Sequence, residues 1–422
     1  MLLLLSFPLA DLVELFYPNY LFMVAGIRIQ PSDFVYFCMI WKIGRYVLLR
    51  PRKTARLLRD HIFLAAFVAM IAVYVIICTP IYGQSAVGEA RKFYFIFLFP
   101  LLALITIKST EDLRRLMKVL VFVAASVALV ALAKTAMSGS VVRVLDSEQT
   151  LIIALVALAI LVHRVYGMVI VNPVVDKVLL WLFFLLALGS GQRSVWLAFG
   201  LGLALTFCLY IRRSVLVSKM LLFAIMMVLG LTTSIILFPQ AGSRLVEKFG
   251  GIIDPYADDT ASWRIQNWQS EWETAKENLF FGDGLGSYYS WKLRGKFEMK
   301  VQPHNGYLQM MLKFGLFGLI VYALLVCEFF RETLGIRKKL RPGPLKAYVD
   351  LGIITFGATH GYIVGYGLEP ISLAFFAIAI AAAKLSQHRF ATSRVRTRVI
   401  RNDARIVSQG FHPQIPPQVE RS

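Results

Sequence analysis

Long apolar runs recur along this chain and constrain its fold more than any other feature. A stretch of about 17 to 25 apolar residues crosses a hydrocarbon core of about 30 Å as a helix, and the backbone hydrogen bonds of that helix are satisfied within the segment. Of the 422 residues, 58% are hydrophobic and only 17% are charged. The sequence therefore predicts an all-α polytopic membrane protein with about 11 to 12 transmembrane helices.

The predicted spans are the apolar runs that lie between clusters of charged residues. Their approximate bounds are 3–24, 33–50, 62–80, 93–107, 119–137, 150–164, 176–190, 194–211, 217–238, 306–329, 347–366 and 371–386. They form one transmembrane domain over residues 1–386. The tail at 387–422 is rich in arginine, so we expect a disordered segment that is attracted to anionic headgroups.

Basic residues alternate between successive connectors, and this alternation predicts the orientation. Lys and Arg concentrate in the tail and in the connectors at 50–60, 108–118, 211–219 and 331–346. They are scarcer in the connectors at 81–92, 137–149, 189–194 and 239–305. By the positive-inside rule the first set and both termini face the cytoplasm, and the second set faces outward. The net charge of +20 is thereby explained by membrane topology, and we expect no nucleic-acid partner.

The outward connector at 239–305 is too long to be only a link, so we expect it to be folded and functional. From Ser262 onward, apolar residues recur at steps of three and four, which predicts a short helix with one apolar face. Ser262 is its expected N-cap, and Gly282 is the expected left-handed residue after its end. The tryptophans of this stretch favour a position at the outer leaflet.

Three polar residues stand out in the outward connectors. Arg193 lies in the short turn "GSGQRS", Arg264 lies in the predicted loop helix, and His304 lies just before a span. An arginine presents a planar fork that suits a phosphate, although it can equally snorkel to lipid headgroups. A histidine near a helix N-terminus feels a positive potential that favours its neutral form, which suits a general base, although it can equally be a polar anchor. Asn305 is the expected cap of the helix that follows.

Two further motifs are weaker signals. The glycine-rich stretch "FGDGLGSYYSWKL" at 281–293 can bring backbone N–H groups close to a phosphate or sugar, or it can be a flexible turn. The acidic stretch "IIDPYADDT" at 252–260 is typical of a solvated turn before a helix, so we expect no metal. The four cysteines lie inside apolar runs, where a thiol behaves as a small hydrophobe. We therefore expect no disulfide and no cofactor.

The outward motifs resemble those of a known family. The chain contains "GSGQRS", "WRIQNW", "GDGLG" and "PHNGYLQMMLKFGLFG" in the order typical of the O-antigen ligase family of bacterial membrane glycosyltransferases. That family also contains O-antigen polymerases and protein O-oligosaccharyltransferases. The resemblance is strongest over about 185–330, and the earlier spans agree in number and polarity more than in motif.

The resemblance implies a site and a reaction. In such a family, a polyprenyl-diphosphate-linked glycan presents its anomeric carbon at the periplasmic face of the bacterial inner membrane. Carried onto this chain, the resemblance makes Arg193 and Arg264 the ligands of the diphosphate and His304 the base for an acceptor hydroxyl. Two guanidinium groups can neutralise the leaving diphosphate without a metal, and a single displacement inverts the anomeric centre.

The acceptor stays open at this point. A ligase adds the glycan to lipid A core, whereas a polymerase adds it to another lipid-linked repeat, in O-antigen or exopolysaccharide assembly. A protein acceptor is less favoured, since no soluble domain is predicted beyond the outward loop.

A competing hypothesis is a multi-span transporter or flippase of lipid-linked glycan. Such a protein is expected to hold ionisable groups near the bilayer midplane. In this chain mid-span charges are few, since Lys42 and Arg45 lie toward one end of their span and Lys134 and Glu328 lie near span ends. His360 is the exception, and it can be a packed or interfacial histidine. The concentration of polar residues on one outward loop favours the enzyme.

Overall fold

A computed structural model describes residues 22–24, 27–29, 31–138, 145, 147–190, 192–210, 232, 259–293, 296–300, 305–360 and 372–388. These residues are mostly helical, and the prediction of an all-α polytopic membrane protein is confirmed. The predicted span at 217–238, most of the one at 3–24 and nearly all of the tail lie outside the described residues.

The helices follow one another along the chain. In order they are α1 (Pro31–Leu49), α2 (Pro51–Asp60), α3 (Ile62–Tyr82), α4 (Gln84–Thr106), α5 (Thr110–Ser138), α6 (Ser147–Val165), α7 (Pro173–Gly189), α8 (Arg193–Tyr210), α9 (Asp259–Glu277), α10 (Gly306–Lys339), α11 (Pro344–His360) and α12 (Ser372–His388).

Five of the described helices are long and apolar enough to cross a membrane. They are α3, α5 over Thr110–Ala136, α6, α8 and α10. The shorter α12 is also apolar. Each of these six helices coincides with a predicted span to within a few residues at most of its ends. The exceptions are α5, which begins at Thr110 before the predicted start at 119, and α10, which ends at Lys339 after the predicted end at 329. The total of about 11 to 12 spans stays a prediction.

Two short antiparallel hairpins accompany the helices in the described residues. The strands β1 (Phe22–Val24) and β2 (Ile27–Ile29) pair with Met23 opposite Arg28. The strands β3 (Tyr289–Leu293) and β4 (Lys296–Lys300) pair with Trp291 opposite Glu298. Residues 22–24 were predicted as the end of the first span, and this part of the prediction is wrong. A two-residue connection containing glycine follows them in the sequence, which favours a hairpin over a continued helix.

Of the five candidate spans, α6 is the most fully buried, and it lies in the largest core. Residues 149–160 of α6 are all buried, with α7, α8 and α11 packed around them. A helix that is apolar on all sides is stable only when it is surrounded by other helices or by lipid. A second core joins α3, α4 and α10, and it also includes Leu285 from the outward loop. The outward loop is therefore part of the packed bundle.

A buried carboxylate ties four helices together at the predicted cytoplasmic end. Asp350 of α11 accepts hydrogen bonds from Arg337 Nε, from the Tyr166 hydroxyl and from the Tyr210 hydroxyl, each at 2.6 Å. Arg337 also donates to the carbonyl of Leu209 at 3.2 Å. A buried charge needs such partners, so this cluster fixes the ends of α6, α8, α10 and α11 relative to one another.

Candidate functional site

The predicted loop helix is present as α9, and its most buried face is polar. Asn267 and Glu271 are fully buried, with Ala275 continuing the same line at the four-residue step. Trp272, which belongs to the apolar face predicted to lie at the outer leaflet, is 40% exposed. The expected N-cap at Ser262 is wrong, because the helix begins one turn earlier at Asp259. The face toward the protein thus combines the buried polar residues with apolar contacts that involve Trp263, Ala275 and Leu279.

A hydrogen-bonded network fixes the rotation of α9 against β3. The Tyr289 hydroxyl donates to Asn267 Oδ1 at 3.1 Å, and Asn267 Nδ2 donates to Glu271 Oε1 at 2.5 Å. Burial raises the pKa of Tyr289, and the nearby Glu271 carboxylate raises it further. The tyrosine therefore stays protonated and remains a donor at neutral pH.

Arg264 lies on the same face of α9, one turn closer to the helix N-terminus. It precedes Asn267 by three residues and Glu271 by seven, and both spacings place side chains on one side of a helix. Its side chain is half-buried. The network that fixes the rotation of α9 therefore also fixes the direction in which Arg264 leaves the helix.

Arg193 begins α8 on a turn held by several hydrogen bonds. The carbonyl of Gln192 accepts from the backbone N–H groups of Val195 and Trp196, while Gln192 Nε2 donates to the carbonyl of Leu145 at 2.6 Å. The Trp196 indole donates back to the carbonyl of Ala187 at 3.0 Å. Arg193 is half-buried. Arg193 is the first residue of α8, so its positive charge lies at the helix N-terminus, where the helix dipole is also positive. A site of this kind suits the binding of an anion.

The glycine-rich stretch after α9 is inserted into a break in helix α10. Gly315 has non-helical dihedral angles inside α10, so the carbonyls of Leu312 and Lys313 and the N–H groups of Leu316 and Phe317 lose their usual helical partners. The loop supplies replacements for all four. The partners are Asp283 N–H to the Leu312 carbonyl (2.7 Å), Gly284 N–H to the Lys313 carbonyl (3.1 Å), Leu316 N–H to the Leu279 carbonyl (2.8 Å) and Phe317 N–H to the Phe280 carbonyl (3.1 Å).

Two glycines make this backbone-to-backbone contact possible. Gly282 and Gly315 both have positive φ angles. A Cβ atom on Gly315 would lie 2.4 Å from the carbonyl carbon of Phe280, and one on Gly282 would lie 2.6 Å from the Gly315 nitrogen. The N–H groups of Gly282, Asp283, Gly284, Gly286 and Ser287 all donate to groups within the protein. The glycine-rich stretch is therefore a packed structural joint, which differs from both a phosphate cradle and a flexible turn.

A buried ion pair lies under this joint. Lys313 Nζ is 3.1 Å from Glu89 Oε2 of α4 and also donates to the Ser287 carbonyl at 2.5 Å. Glu89 accepts from the Gly286 N–H at 2.7 Å and from Gln309 Nε2 at 3.2 Å. Each charge has several hydrogen-bond partners, as a fully buried ion pair requires. The pair fastens the outward loop to α4 and α10.

His304 lies outside the described residues, and the structure begins again at its neighbour. Asn305 is buried and caps α10 as predicted, accepting from the N–H groups of Tyr307 at 3.0 Å and Leu308 at 3.2 Å. The Tyr307 hydroxyl donates to the carbonyl of His360 at 2.5 Å. The chain immediately after His304 is therefore anchored to the end of α11.

His360 is a packed histidine with a defined tautomer. Its Nδ1 lies 2.9 Å from the carbonyl of Phe356, which can only accept, so Nδ1 is the donor. In the neutral ring Nε2 then accepts from the Tyr322 hydroxyl at 2.5 Å. Because its polar atoms are used inside the bundle, His360 fits the packed interpretation given to it from sequence.

Comparison with known proteins finds a match for part of the chain. A family model described as O-Antigen ligase matches residues 178–323. Over these residues the chain is similar to the O-antigen ligase family. A search of curated proteins finds no match to the chain.

The O-antigen ligase match includes all three predicted site residues. It runs from α7 to the middle of α10 and so contains Arg193, Arg264 and His304. The structure places the two arginines on different helices. The helix of Arg264, α9, packs on α10, and the helix of Arg193, α8, packs on α11. Because α10 and α11 also pack on each other, these two helices connect α8 with α9.

Several residues that hold the matched segment in place were not predicted from the sequence. Tyr289 and Lys313 lie inside the matched range, whereas Glu89 comes from α4, far outside it. Apolar and polar residues alternate on either side of Arg294 and Gly295, a pattern that is typical of a β-hairpin. This pattern predicts β3 and β4, and it places Tyr289 in β3. Local sequence carries no signal for the contact between Gly286 and Glu89, which are 197 residues apart.

A further group of titratable residues, within the described part of the chain, lies outside the matched range. His61, Glu328 and Glu332 bring their potential ligand atoms within 4.8 Å of one another. His61 Nδ1 is 3.8 Å from Glu332 Oε2. They lie at the predicted cytoplasmic end, across the bundle from the outward loop, so we assign them no part in the site.

Proposed function

We propose that this protein transfers a polyprenyl-diphosphate-linked glycan to an acceptor hydroxyl at the periplasmic face of the bacterial inner membrane. The acceptor is lipid A core if the protein is a ligase, or a lipid-linked repeat if it is a polymerase. The reaction serves O-antigen or exopolysaccharide assembly. The observation that carries the proposal is the match of residues 178–323 to the O-antigen ligase family.

Arg193 and Arg264 are the proposed ligands of the diphosphate. Both are half-buried, and each leaves a helix whose position is fixed by hydrogen bonds. A guanidinium donates two parallel hydrogen bonds to phosphate oxygens, and partial burial strengthens its attraction to an anion. The arginines therefore stabilise the charge that develops on the diphosphate as it leaves.

His304 is the proposed general base. It takes the proton of the acceptor hydroxyl as the hydroxyl oxygen forms its bond to the anomeric carbon, while the bond from that carbon to the diphosphate oxygen breaks. The diphosphate leaves with the bonding electrons, and the anomeric centre is inverted. Support comes from the neighbouring residues, since Asn305 and Tyr307 anchor the chain directly after His304.

Deletion of the gene in its native cell tests the proposal and separates its two forms. Loss of surface glycan with polymer accumulating on the lipid carrier indicates a ligase, and accumulation of single repeats indicates a polymerase. Unchanged surface glycan together with an unchanged lipid-linked pool would contradict both.

A transporter or flippase is the second candidate, and one observation favours it. The Glu89–Lys313 pair places ionisable groups inside α4 and α10, as transporters often do. However, both charged groups also bond to the outward loop. Glu89 accepts from the Gly286 N–H, and Lys313 donates to the carbonyl and the hydroxyl oxygen of Ser287. A structural role for the pair therefore accounts for the contacts, and the enzyme stays the preferred proposal.

A further inference from the structure

The turn at residues 279–281, directly after α9, exposes two large aromatic side chains beside a membrane-spanning helix. Phe280 is 66% exposed and Phe281 is 68% exposed. The ring of Phe281 lies 6.4 Å from that of Phe317 on α10. Phe317, Ile320 and Leu324 form an exposed apolar stripe at helical spacing along α10. The two phenylalanines thus continue the outer apolar surface of a candidate span.

The position of this turn along α3 gives its depth. The Tyr74 hydroxyl donates to the carbonyl of Phe281 at 2.6 Å. Tyr74 precedes the last residue of α3, Tyr82, by eight positions, which corresponds to about 12 Å along a helix. The whole of α3 has 21 residues and is apolar throughout, so it matches a hydrocarbon core of about 30 Å. Phe281 therefore lies at a level inside that core.

The carbonyl groups of the turn have the partners that contact with lipid demands. An unpaired carbonyl is costly in hydrocarbon because no water is available to it. The carbonyls of Leu279, Phe280 and Phe281 accept hydrogen bonds from Leu316 N–H, Phe317 N–H and the Tyr74 hydroxyl. These three bonds give each carbonyl of residues 279–281 a partner within the protein.

We propose that residues 279–281 are inserted among the lipid chains of the outer leaflet, as a wedge between α3 and α10. Asn278 and Asp283 bound the wedge and bond to each other at 2.6 Å, which closes the turn with polar groups on either side. The connector at 239–305, expected from sequence to lie outside the membrane, then enters it at this point. This inference does not depend on the proposed glycan transfer.

Spin-label accessibility tests the wedge in the full chain. Cys38, Cys78, Cys208 and Cys327 are first replaced, and a nitroxide is attached to a single cysteine introduced as Phe281→Cys or Phe280→Cys. The labelled protein is placed in lipid nanodiscs and is checked for a wild-type thermal transition. Collision rates are then measured with oxygen, which concentrates in lipid, and with a water-soluble nickel chelate.

Two reference positions calibrate the result. A label at Ile320 on the apolar stripe of α10 reports lipid, and a label at Glu273 on the exposed side of α9 reports water. We expect the label at 281 to match the one at 320, with high oxygen and low nickel accessibility, and the label at 280 to follow it. Nickel accessibility at 281 as high as at 273 would overturn the proposal.

Discussion

Arg193 and Arg264 are placed by different means, although both are half-buried. A tight turn that is bonded to the carbonyl of Leu145 sets the position of Arg193. A buried network on one face of α9 sets the direction of Arg264. In both cases the guanidinium emerges from fixed backbone, and a fixed position limits the side-chain entropy that is lost when an anion binds.

Replacing Arg193 with lysine should lower glycan transfer by about 10- to 100-fold. An ammonium group keeps the charge but loses the planar fork, and one hydrogen bond to a charged group contributes about 1.5 to 3 kcal/mol. The measurement is product formation from a purified lipid-linked donor. Arg115→Lys is the control, because Arg115 is 74% exposed and pairs only within its own helix in the described structure, with Glu111. Full activity in Arg193→Lys would favour a headgroup anchor.

Tyr289→Phe should weaken donor binding by loosening α9. The change removes the donor to Asn267 Oδ1 and leaves that buried oxygen unpaired, at a cost of about 1 to 3 kcal/mol. We expect a higher KM for the lipid-linked donor with a smaller change in kcat, since the base is not touched.

The adjacent tyrosine supplies the matched control for that variant. Tyr288 is 46% exposed, so Tyr288→Phe should leave both constants unchanged. Equal KM values for the two variants would show that the network does not position Arg264.

Among the helices and loops, the joint between the outward loop and α10 is the contact that holds the loop to the bundle through its backbone. A helix break leaves four backbone groups without partners, and such a break is tolerated at membrane depth only where protein replaces them. The loop replaces all four. The segment with Arg264 and the segment after His304 are thereby joined to one rigid unit.

Gly315→Ala should destabilise the protein strongly. The new Cβ would lie 2.4 Å from the Phe280 backbone at a residue whose φ is +63°, and strain of this kind costs about 1 to 3 kcal/mol before any contacts are lost. Thermal unfolding of the detergent-solubilised protein measures the effect. Gly335→Ala, in the same helix with open space around it, should be neutral or slightly stabilising. Similar transitions for both variants would contradict the proposed joint.

Much of the helical framework was predictable because it is encoded locally. Apolar runs set the spans, the cap at Asn305 follows from its place before a span, and the positive φ of Gly282 follows from its place after a helix. The buried face of α9 was not predictable, because it depends on Tyr289 from another element. The partner of Lys313 was equally hidden, since Glu89 lies more than 200 residues earlier in the chain.

Across the whole molecule, the contacts described above form either at the predicted outward end or at the predicted cytoplasmic end of the bundle. The turn before Arg193 bonds to Leu145, and the glycine-rich loop bonds to Glu89, so outward connectors or adjoining helix ends meet one another. Asp350 gathers Tyr166, Tyr210 and Arg337 at the opposite end. This separation agrees with the alternation of the connectors, while the orientation in the membrane stays a prediction from the positive-inside rule.

Labelling a cysteine at Ser270 tests that orientation. Ser270 lies on α9, so Ser270→Cys in a background without the native cysteines should react with a membrane-impermeant maleimide from the periplasmic side. A cysteine at Lys338, in the basic end of α10, should react only after the cytoplasmic side is exposed. The reverse pattern would overturn the topology and the side assigned to the site.

Glycan transfer by this protein can be measured in proteoliposomes that contain the purified protein, a polyprenyl-diphosphate-linked glycan and a hydroxyl acceptor. We predict that the wild-type protein and His388→Ala, a change at an exposed histidine, form the glycosylated acceptor and release polyprenyl diphosphate. His304→Ala should insert normally and form neither product, because the acceptor hydroxyl then has no base. Movement of the donor across the bilayer without transfer, or full transfer by His304→Ala, would contradict the account.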